Sequence, residues 1–134
     1  MGSSNKSEYF GLSTNFIGNI QIRAKALYES SMKMSDLETL FRLHDDSPEA
    51  ISARMIAART VAGYPKQKDF AVAIDENHKT YNTQEKRGSP SIKSVRYLHR
   101  NHRIDFNYVF NGDFAQLPGD VKTALEKALL AAKQ

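Results

Sequence analysis

Apolar residues recur at intervals of three and four along most of this chain, the spacing that places them on one face of an α-helix. Polar residues and turn-forming Gly, Pro, Asn and Asp separate the apolar segments. The pattern predicts helices over residues 35–44, 48–62, 66–74, 78–86, 92–101, 106–111 and 120–133, with a weaker periodicity over 16–30. We therefore expect an all-α fold.

Helix-starting residues precede several of these segments. Ser35 and Glu38 have the spacing of a capping box, and Ser47 is followed by a proline and an acid. Further N-caps are predicted at Asn77, Ser91 and Asp105. Met34 stands directly before the first cap, which suggests that the natural product begins there and that residues 1–33 are read through from upstream. Within that segment, the Ser- and Gly-rich residues 1–14 are expected to be disordered.

The apolar stripe of each helix predicts the core. The expected buried residues are Leu37, Leu40, Phe41 and His44; Ile51, Met55, Ala58 and Ala62; Ile92, Val95 and Leu98; Phe106, Val109 and Phe110; and Val121, Leu125, Ala128, Leu129 and Ala132. Arg54 and Arg59 are expected to point away from the buried face of their helix. The stripe of the C-terminal helix must dock either on its own domain or on a second copy, because an isolated helix is marginal.

The stretch from Lys66 to Gly88, KQKDFAVAIDENHKTYNTQEKRG, predicts two short helices around a polar turn. The buried face of the first helix is formed by Phe70, Ala71 and Ile74. The second helix has one dominant apolar residue, Tyr81, and is otherwise polar. A helix with one anchor inward and hydrogen-bonding side chains outward suits insertion into a polar partner.

This stretch and its flanks resemble the helix-turn-helix DNA-binding domains of the lambda repressor, Cro and Xre type. The resemblance covers about Ser52 to Pro118 and rests on ARMIAARTVAGY, QKDFAVAI, NHKTYNTQEKRG and PSIKSVRYLHRNHRIDFNYVFNGD. It implies a compact five-helix lambda-repressor-like domain with extra N-terminal and C-terminal helices. The expected organisation is an extension at 1–47, partly disordered with a short helix near 36–45, a DNA-binding domain at 48–113, and a C-terminal docking or dimerisation helix at 114–134.

Two positions depart from the family pattern. Asp75 and Glu76 stand where the family has glycine and a small aliphatic residue, and Gly88 comes three residues after Glu85 rather than two. Asp adopts a left-handed conformation at modest cost. Glu76 is expected to weaken the packing under the turn.

The resemblance implies that the helix over 78–86 is a recognition helix in the major groove of double-stranded DNA. The base-contacting residues it implies are His78, Lys79, Asn82 and Thr83. Gln67 matches the family glutamine that contacts backbone phosphate. Helix ends and loops supply the other candidates for phosphate contacts, Lys66, Lys86, Arg87, Ser89 and Ser91. Taken singly, each is also compatible with an ordinary exposed side chain.

Positive charge is concentrated around this stretch, although the whole chain has a net charge of only +4. Within residues 78–103 the single acid is Glu85, and the bases are Lys79, Lys86, Arg87, Lys93, Arg96, Arg100 and Arg103. Such segregation is the electrostatic pattern of a phosphate-binding face, although a solvated basic surface is the commoner reason for a charge run alone.

Composition and motifs also bear on whether the chain has disulfides, a metal site, enzyme activity or a membrane segment. The absence of cysteine excludes disulfides, thiol nucleophiles and Cys-ligated zinc. We expect no enzyme activity, because the chain has no phosphate-binding glycine loop and no hydrolase motif. We also expect no cofactor and no metal. His99 and His102 are interpreted as part of the basic surface rather than as metal ligands. Without an apolar run of membrane-spanning length or a secretory signal pattern, the sequence predicts a soluble, cytoplasmic protein with no membrane partner.

The resulting interpretation is a sequence-specific transcriptional regulator that resembles phage or bacterial repressors and binds DNA as a homodimer. An alternative stays open. An antitoxin-like or other protein-interaction module would use the same fold to bind a protein partner through its extra helices.

Overall fold

The computed structural model describes residues 32–133, and within that range every regular element is helical, with no strand. The predicted all-α class is confirmed. The helices are α1 (Met34–Phe41), α2 (Pro48–Val61), α3 (Gln67–Ala73), α4 (His78–Lys86), α5 (Ile92–His102), α6 (Phe106–Asn111) and α7 (Gly119–Ala132). The predicted disorder at 1–14 and the predicted helix over 16–30 lie outside the described residues.

Helix α2 forms the centre of the fold and packs against α4, α6 and α7. It begins where the sequence predicts, because the Ser47 side chain accepts a hydrogen bond from the Ala50 amide and Pro48 follows at the first helical position. Ile51, Met55 and Ala58 are buried as predicted, whereas Ala62 is only half-buried.

The expectation that Arg54 and Arg59 point away from the core is wrong. Arg54 is 1% exposed, and its guanidinium donates to four backbone carbonyls, those of Phe41, Arg42, Asp45 and Val109. These carbonyls lie at the ends of α1 and α6 and in the loop after α1, where the helical ladder leaves acceptors without amide partners. Burial lowers the pKa of Arg54 from its usual value. The buried cation is tolerated because four of its five N–H groups donate to carbonyl oxygens.

Helix α1 differs from the prediction at both ends. It begins at Met34, so Ser35 lies inside the helix rather than capping it, and it ends at Phe41. Arg42 adopts a left-handed conformation with φ 52°, and the Leu43 amide bonds back to the Glu38 carbonyl. This Schellman-type ending stops the helix before His44, which is exposed rather than buried.

Helices α5 and α6 also bury a different set of residues from the predicted one. Val95, Leu98 and Val109 are buried as expected, but Ile92 is 62% exposed at the first turn of α5. Phe106 and Phe110 are only half-buried, and their rings stack on each other with a distance of 6.4 Å between the ring centroids. The fully buried aromatic residue of α6 is Tyr108, whose hydroxyl donates to the Arg54 carbonyl and so ties α6 to α2.

Helix α7 docks on its own domain, against α1 and α2. Val121, Leu125 and Leu129 are buried there, whereas Ala128 is half-buried and Ala132 is exposed near the end of the helix. The exposed Arg103–Asp120 ion pair, with a nitrogen–oxygen distance of 2.7 Å, joins the end of α5 to the start of α7.

Candidate nucleic-acid interface

Helices α3 and α4 enclose the predicted turn. Phe70, Ala71 and Ile74 are buried beneath α3 as predicted. Asp75 has φ 56°, its amide bonds to the Val72 carbonyl, and the helix ends there in the left-handed conformation expected of it. Helix α4 then begins at the predicted N-cap, where the Asn77 side chain accepts from the Thr80 amide at 3.1 Å.

A lysine of α5 contacts two residues of this turn. Lys93 of α5 donates to the Asp75 carbonyl at 2.8 Å and pairs with the Glu76 carboxylate at 3.2 Å. Glu76, which is half-buried, thus pairs with a cation of the next helix. The contact fixes the start of α5 beside the turn.

Replacing Asp75 with glycine is expected to raise the free energy of unfolding by about 0.5–1 kcal/mol, because glycine has no steric penalty at positive φ. Thermal or urea unfolding of the two proteins measures the difference. Asp75→Ala is the matched control and is expected to destabilise the protein, since alanine keeps the penalty and loses the local hydrogen bonding available to Asp. Equal stabilisation by both substitutions would contradict the argument.

Helix α4 buries two residues, Tyr81 and Glu85. The burial of Tyr81 is as predicted, but that of Glu85, which is 2% exposed, is not. Arg59 of α2 donates to its carboxylate through Nε at 2.8 Å, and the Tyr81 hydroxyl and the Gln67 amide donate at 2.7 Å each. Burial, together with the hydrogen bond to Glu85, raises the pKa of Tyr81 well above its usual value. One carboxylate therefore connects α2, α3 and α4.

The sequence contained one usable signal for this site. Glu85 follows Tyr81 by four residues, so the two share a helix face, and a buried Tyr81 implies a nearly buried Glu85. No such local signal exists for Arg59, because its partner lies 26 residues away.

The four residues predicted to contact bases all lie on α4. His78, Lys79 and Thr83 are exposed, and Asn82 is half-buried. At 100° per residue, Lys79 and Thr83 share the outward face with Lys86, whereas His78 and Asn82 lie toward the side that buries Glu85. The helix therefore presents two adjacent rows of hydrogen-bonding side chains.

The predicted phosphate-contacting residues surround α4 less uniformly. Lys66, Lys86, Arg87 and Ser89 are exposed. Gln67 is half-buried and already donates to Glu85. Ser91 is half-buried and caps α5, where its hydroxyl oxygen accepts from the Ser94 amide at 3.1 Å.

Most of the predicted basic segment is unneutralised. Of its seven bases, Lys93 pairs with Glu76 and Arg103 with Asp120. The other five, Lys79, Lys86, Arg87, Arg96 and Arg100, form no salt bridge with an acid among residues 32–133. Since Glu85 is buried against Arg59, the exposed surface of α4 has no acid at all.

The metal-binding potential and the surroundings of the histidines were the remaining questions about this region. Among residues 32–133, no three His, Asp or Glu side chains cluster closely enough to hold a metal ion. His99 lies edge-on to Phe106, and His102 packs beside Tyr64 and Tyr97. No helix in this range combines the length and the apolar character that crossing a bilayer requires.

No protein-family model, curated protein or solved structure matches the chain.

Proposed function

We propose that this chain is a sequence-specific DNA-binding transcriptional regulator, with α2–α6 arranged as a lambda-repressor-like helix-turn-helix domain. The observation that carries the proposal is the division of α4 into two sides. Tyr81 and Glu85 face inward, and the outward side presents only basic and neutral hydrogen-bonding residues. An α-helix with this surface suits the major groove, where base edges offer donors and acceptors between two rows of phosphates.

Side chains on the outward face of α4 and along its neighbouring edge match the chemistry of base edges. Lys79 suits the O6 and N7 acceptors of guanine, and Asn82 suits the N6 and N7 pair of adenine. The Thr83 methyl group suits a thymine methyl. His78 lies beside them in the first turn of α4, the part of such a helix that approaches the bases most closely.

Exposed cations lie at both ends of the α3–α4 unit. Lys66 precedes α3, and Lys86 and Arg87 end α4. These three are the charged phosphate contacts of the proposal, and Ser89 and Ser91 add hydroxyls. Two copies on a pseudo-palindromic operator, with half-sites about one helical turn apart, would double every contact.

Binding of the full chain to duplex DNA at 50 and 200 mM salt tests the proposal. The upstream region of its own gene is compared with unrelated duplex of equal length. We expect a clear preference for the upstream region and a log–log salt slope of about −5, from three cations in each of two copies. Absence of binding to either duplex would contradict the proposal and favour a protein partner.

Substitutions on α4 separate base contacts from phosphate contacts. Lys79→Ala and Asn82→Ala are each expected to reduce discrimination between the operator and its base-pair variants by about 1–3 kcal/mol. Arg87→Ala is expected to weaken binding to all sequences alike and to make the salt slope shallower by about one unit per protomer.

Lys133→Ala, at the exposed end of α7, is the charge-matched control and is expected to leave binding unchanged. If the Lys79 and Arg87 substitutions left affinity and preference untouched, α4 would not be the DNA-binding face.

A further inference from the structure

The Glu85 carboxylate has no spare hydrogen-bonding capacity. Its Oε1 accepts from Arg59 Nε at 2.8 Å and from the Tyr81 hydroxyl at 2.7 Å. Its Oε2 accepts from Gln67 Nε2 at 2.7 Å and from Arg59 Nη2 at 3.4 Å. Two bonds on each oxygen use the acceptor sites of a carboxylate. The group is therefore held in one orientation by donors from three helices.

An ionised carboxylate only accepts hydrogen bonds, so it dictates which end of the Gln67 carboxamide faces inward. The NH₂ group must point to Glu85, and a 180° flip of the amide would place two oxygens against each other. One N–H is used in this bond. Within residues 32–133, the second N–H has no partner.

Gln67 is half-buried at the first position of α3 and directly follows the exposed Lys66. Its free N–H therefore lies at the helix end that faces a phosphate in the proposed complex. A side chain already held in its binding geometry loses less conformational freedom on binding than a mobile one. A flipped carboxamide would present its oxygen to the phosphate instead and would repel it.

We propose that Glu85 is a positioning residue for DNA binding, which holds the Gln67 carboxamide with an N–H toward a backbone phosphate and fixes α4 against α3. This inference rests on the proposed function. Glu85 itself touches no DNA in it. The buried ion pair with Arg59 supplies the orientation rather than stability, because such pairs are often no more stabilising than apolar residues of similar size.

A double-mutant cycle in DNA affinity tests the claim. Gln67→Ala is expected to weaken binding about fivefold, and Glu85→Gln by a similar factor, because a neutral amide at position 85 accepts either orientation of Gln67. The two together are expected to lose little more than either alone, since both remove the same contact. Lys66→Ala, which removes a separate phosphate contact, is the control, and its loss is expected to multiply with that of Glu85→Gln.

Glu85→Gln leaves the Arg59 guanidinium buried without a counter-charge and is expected to destabilise the fold. A second variant, Arg59→Met/Tyr81→Phe/Glu85→Leu, replaces the Glu85 carboxylate and two of its three donor side chains by apolar groups, and it also removes the donor of the Tyr64 and Pro65 carbonyls. The new side chains have similar volumes, and the variant leaves no buried charge in this cluster while removing the acceptor of Gln67. The same non-additivity with Gln67→Ala is expected in this background.

The free protein provides a readout that needs no DNA. The side-chain amide of Gln67 is expected to show a high NMR order parameter in the wild type and a clearly lower one in both variants. An equally mobile Gln67 in the wild type, or losses from Gln67→Ala and Glu85→Gln that multiply, would overturn the positioning role while leaving DNA binding intact. A wild-type protein that binds no DNA would overturn the proposed function and this role with it.

Discussion

Replacing Arg54 with methionine is expected to lower the free energy of unfolding by about 3–5 kcal/mol, which is a large share of the stability of a domain of this size. The guanidinium donates to the carbonyls of Phe41, Arg42, Asp45 and Val109 at 2.7–3.2 Å. Methionine fills much of the same volume but donates nothing, so buried and partly buried carbonyls lose their partner at about 1–3 kcal/mol each when water cannot reach them.

Urea unfolding monitored by circular dichroism measures the loss. Arg96→Met is the matched control, since Arg96 is exposed on α5 and has no acidic partner in the described part of the chain. We expect it to change stability by less than about 0.5 kcal/mol. Arg54→Lys is expected to lie between the two, because one ammonium group cannot reach all four carbonyls. A loss in Arg54→Met no greater than in the control would show that the carbonyls find water instead.

Replacing Gly88 with alanine is expected to cost about 3–5 kcal/mol, for two separate reasons. Gly88 has φ +66°, where an L side chain is strained. In addition, a Cβ at this position would lie 2.5 Å from the Cα and carbonyl oxygen of Pro48, which are backbone atoms that cannot move aside without shifting α2. Gly88, which follows the end of α4, is therefore also the residue at which the chain after α4 packs against the start of α2.

Two other glycines separate these causes. Gly63 has φ +97° and nothing within 4 Å of an added Cβ, so Gly63→Ala is expected to cost only the conformational strain, about 1–2 kcal/mol. Gly119 has neither restriction, and Gly119→Ala is expected to stabilise the protein by about 0.5 kcal/mol. Thermal unfolding of the three variants should rank them in this order, and a Gly88 variant no worse than the Gly63 variant would refute the steric contribution.

The helix starts and stops were largely predictable because their causes are local. Asn77, Ser91 and Asp105 cap their helices with hydrogen bonds that span three residues. Gly63 and Gly88 follow theirs at positive φ, and a glycine after a helical segment is a common sign of a helix end in the sequence. The end of α1 was missed because an arginine, Arg42, takes the left-handed position that glycine usually signals.

The candidate site was predictable only on its outward side. Lys79 and Thr83 are exposed where a helix with a buried Tyr81 must expose them. The inward side depends on Glu85 and Arg59, two charged residues that a hydrophobic pattern assigns to the surface. Ile92 shows the converse, since this apolar residue in register with Val95 is 62% exposed, and nothing among residues 32–133 buries its side chain.

The sequence by itself determined the helical class, most helix boundaries, the apolar anchors of α3 and α4, and the segregation of positive charge. These follow from contacts within one or two helical turns and from composition. The tertiary structure decided which partners the buried charged groups find. Arg54 donates to the carbonyl of Val109, which lies 55 residues further along the chain, and Arg59 donates to Glu85, which lies 26 residues further along. A charged group enters a protein interior only when partners surround it, and those partners are assembled by the fold rather than by neighbours in the chain.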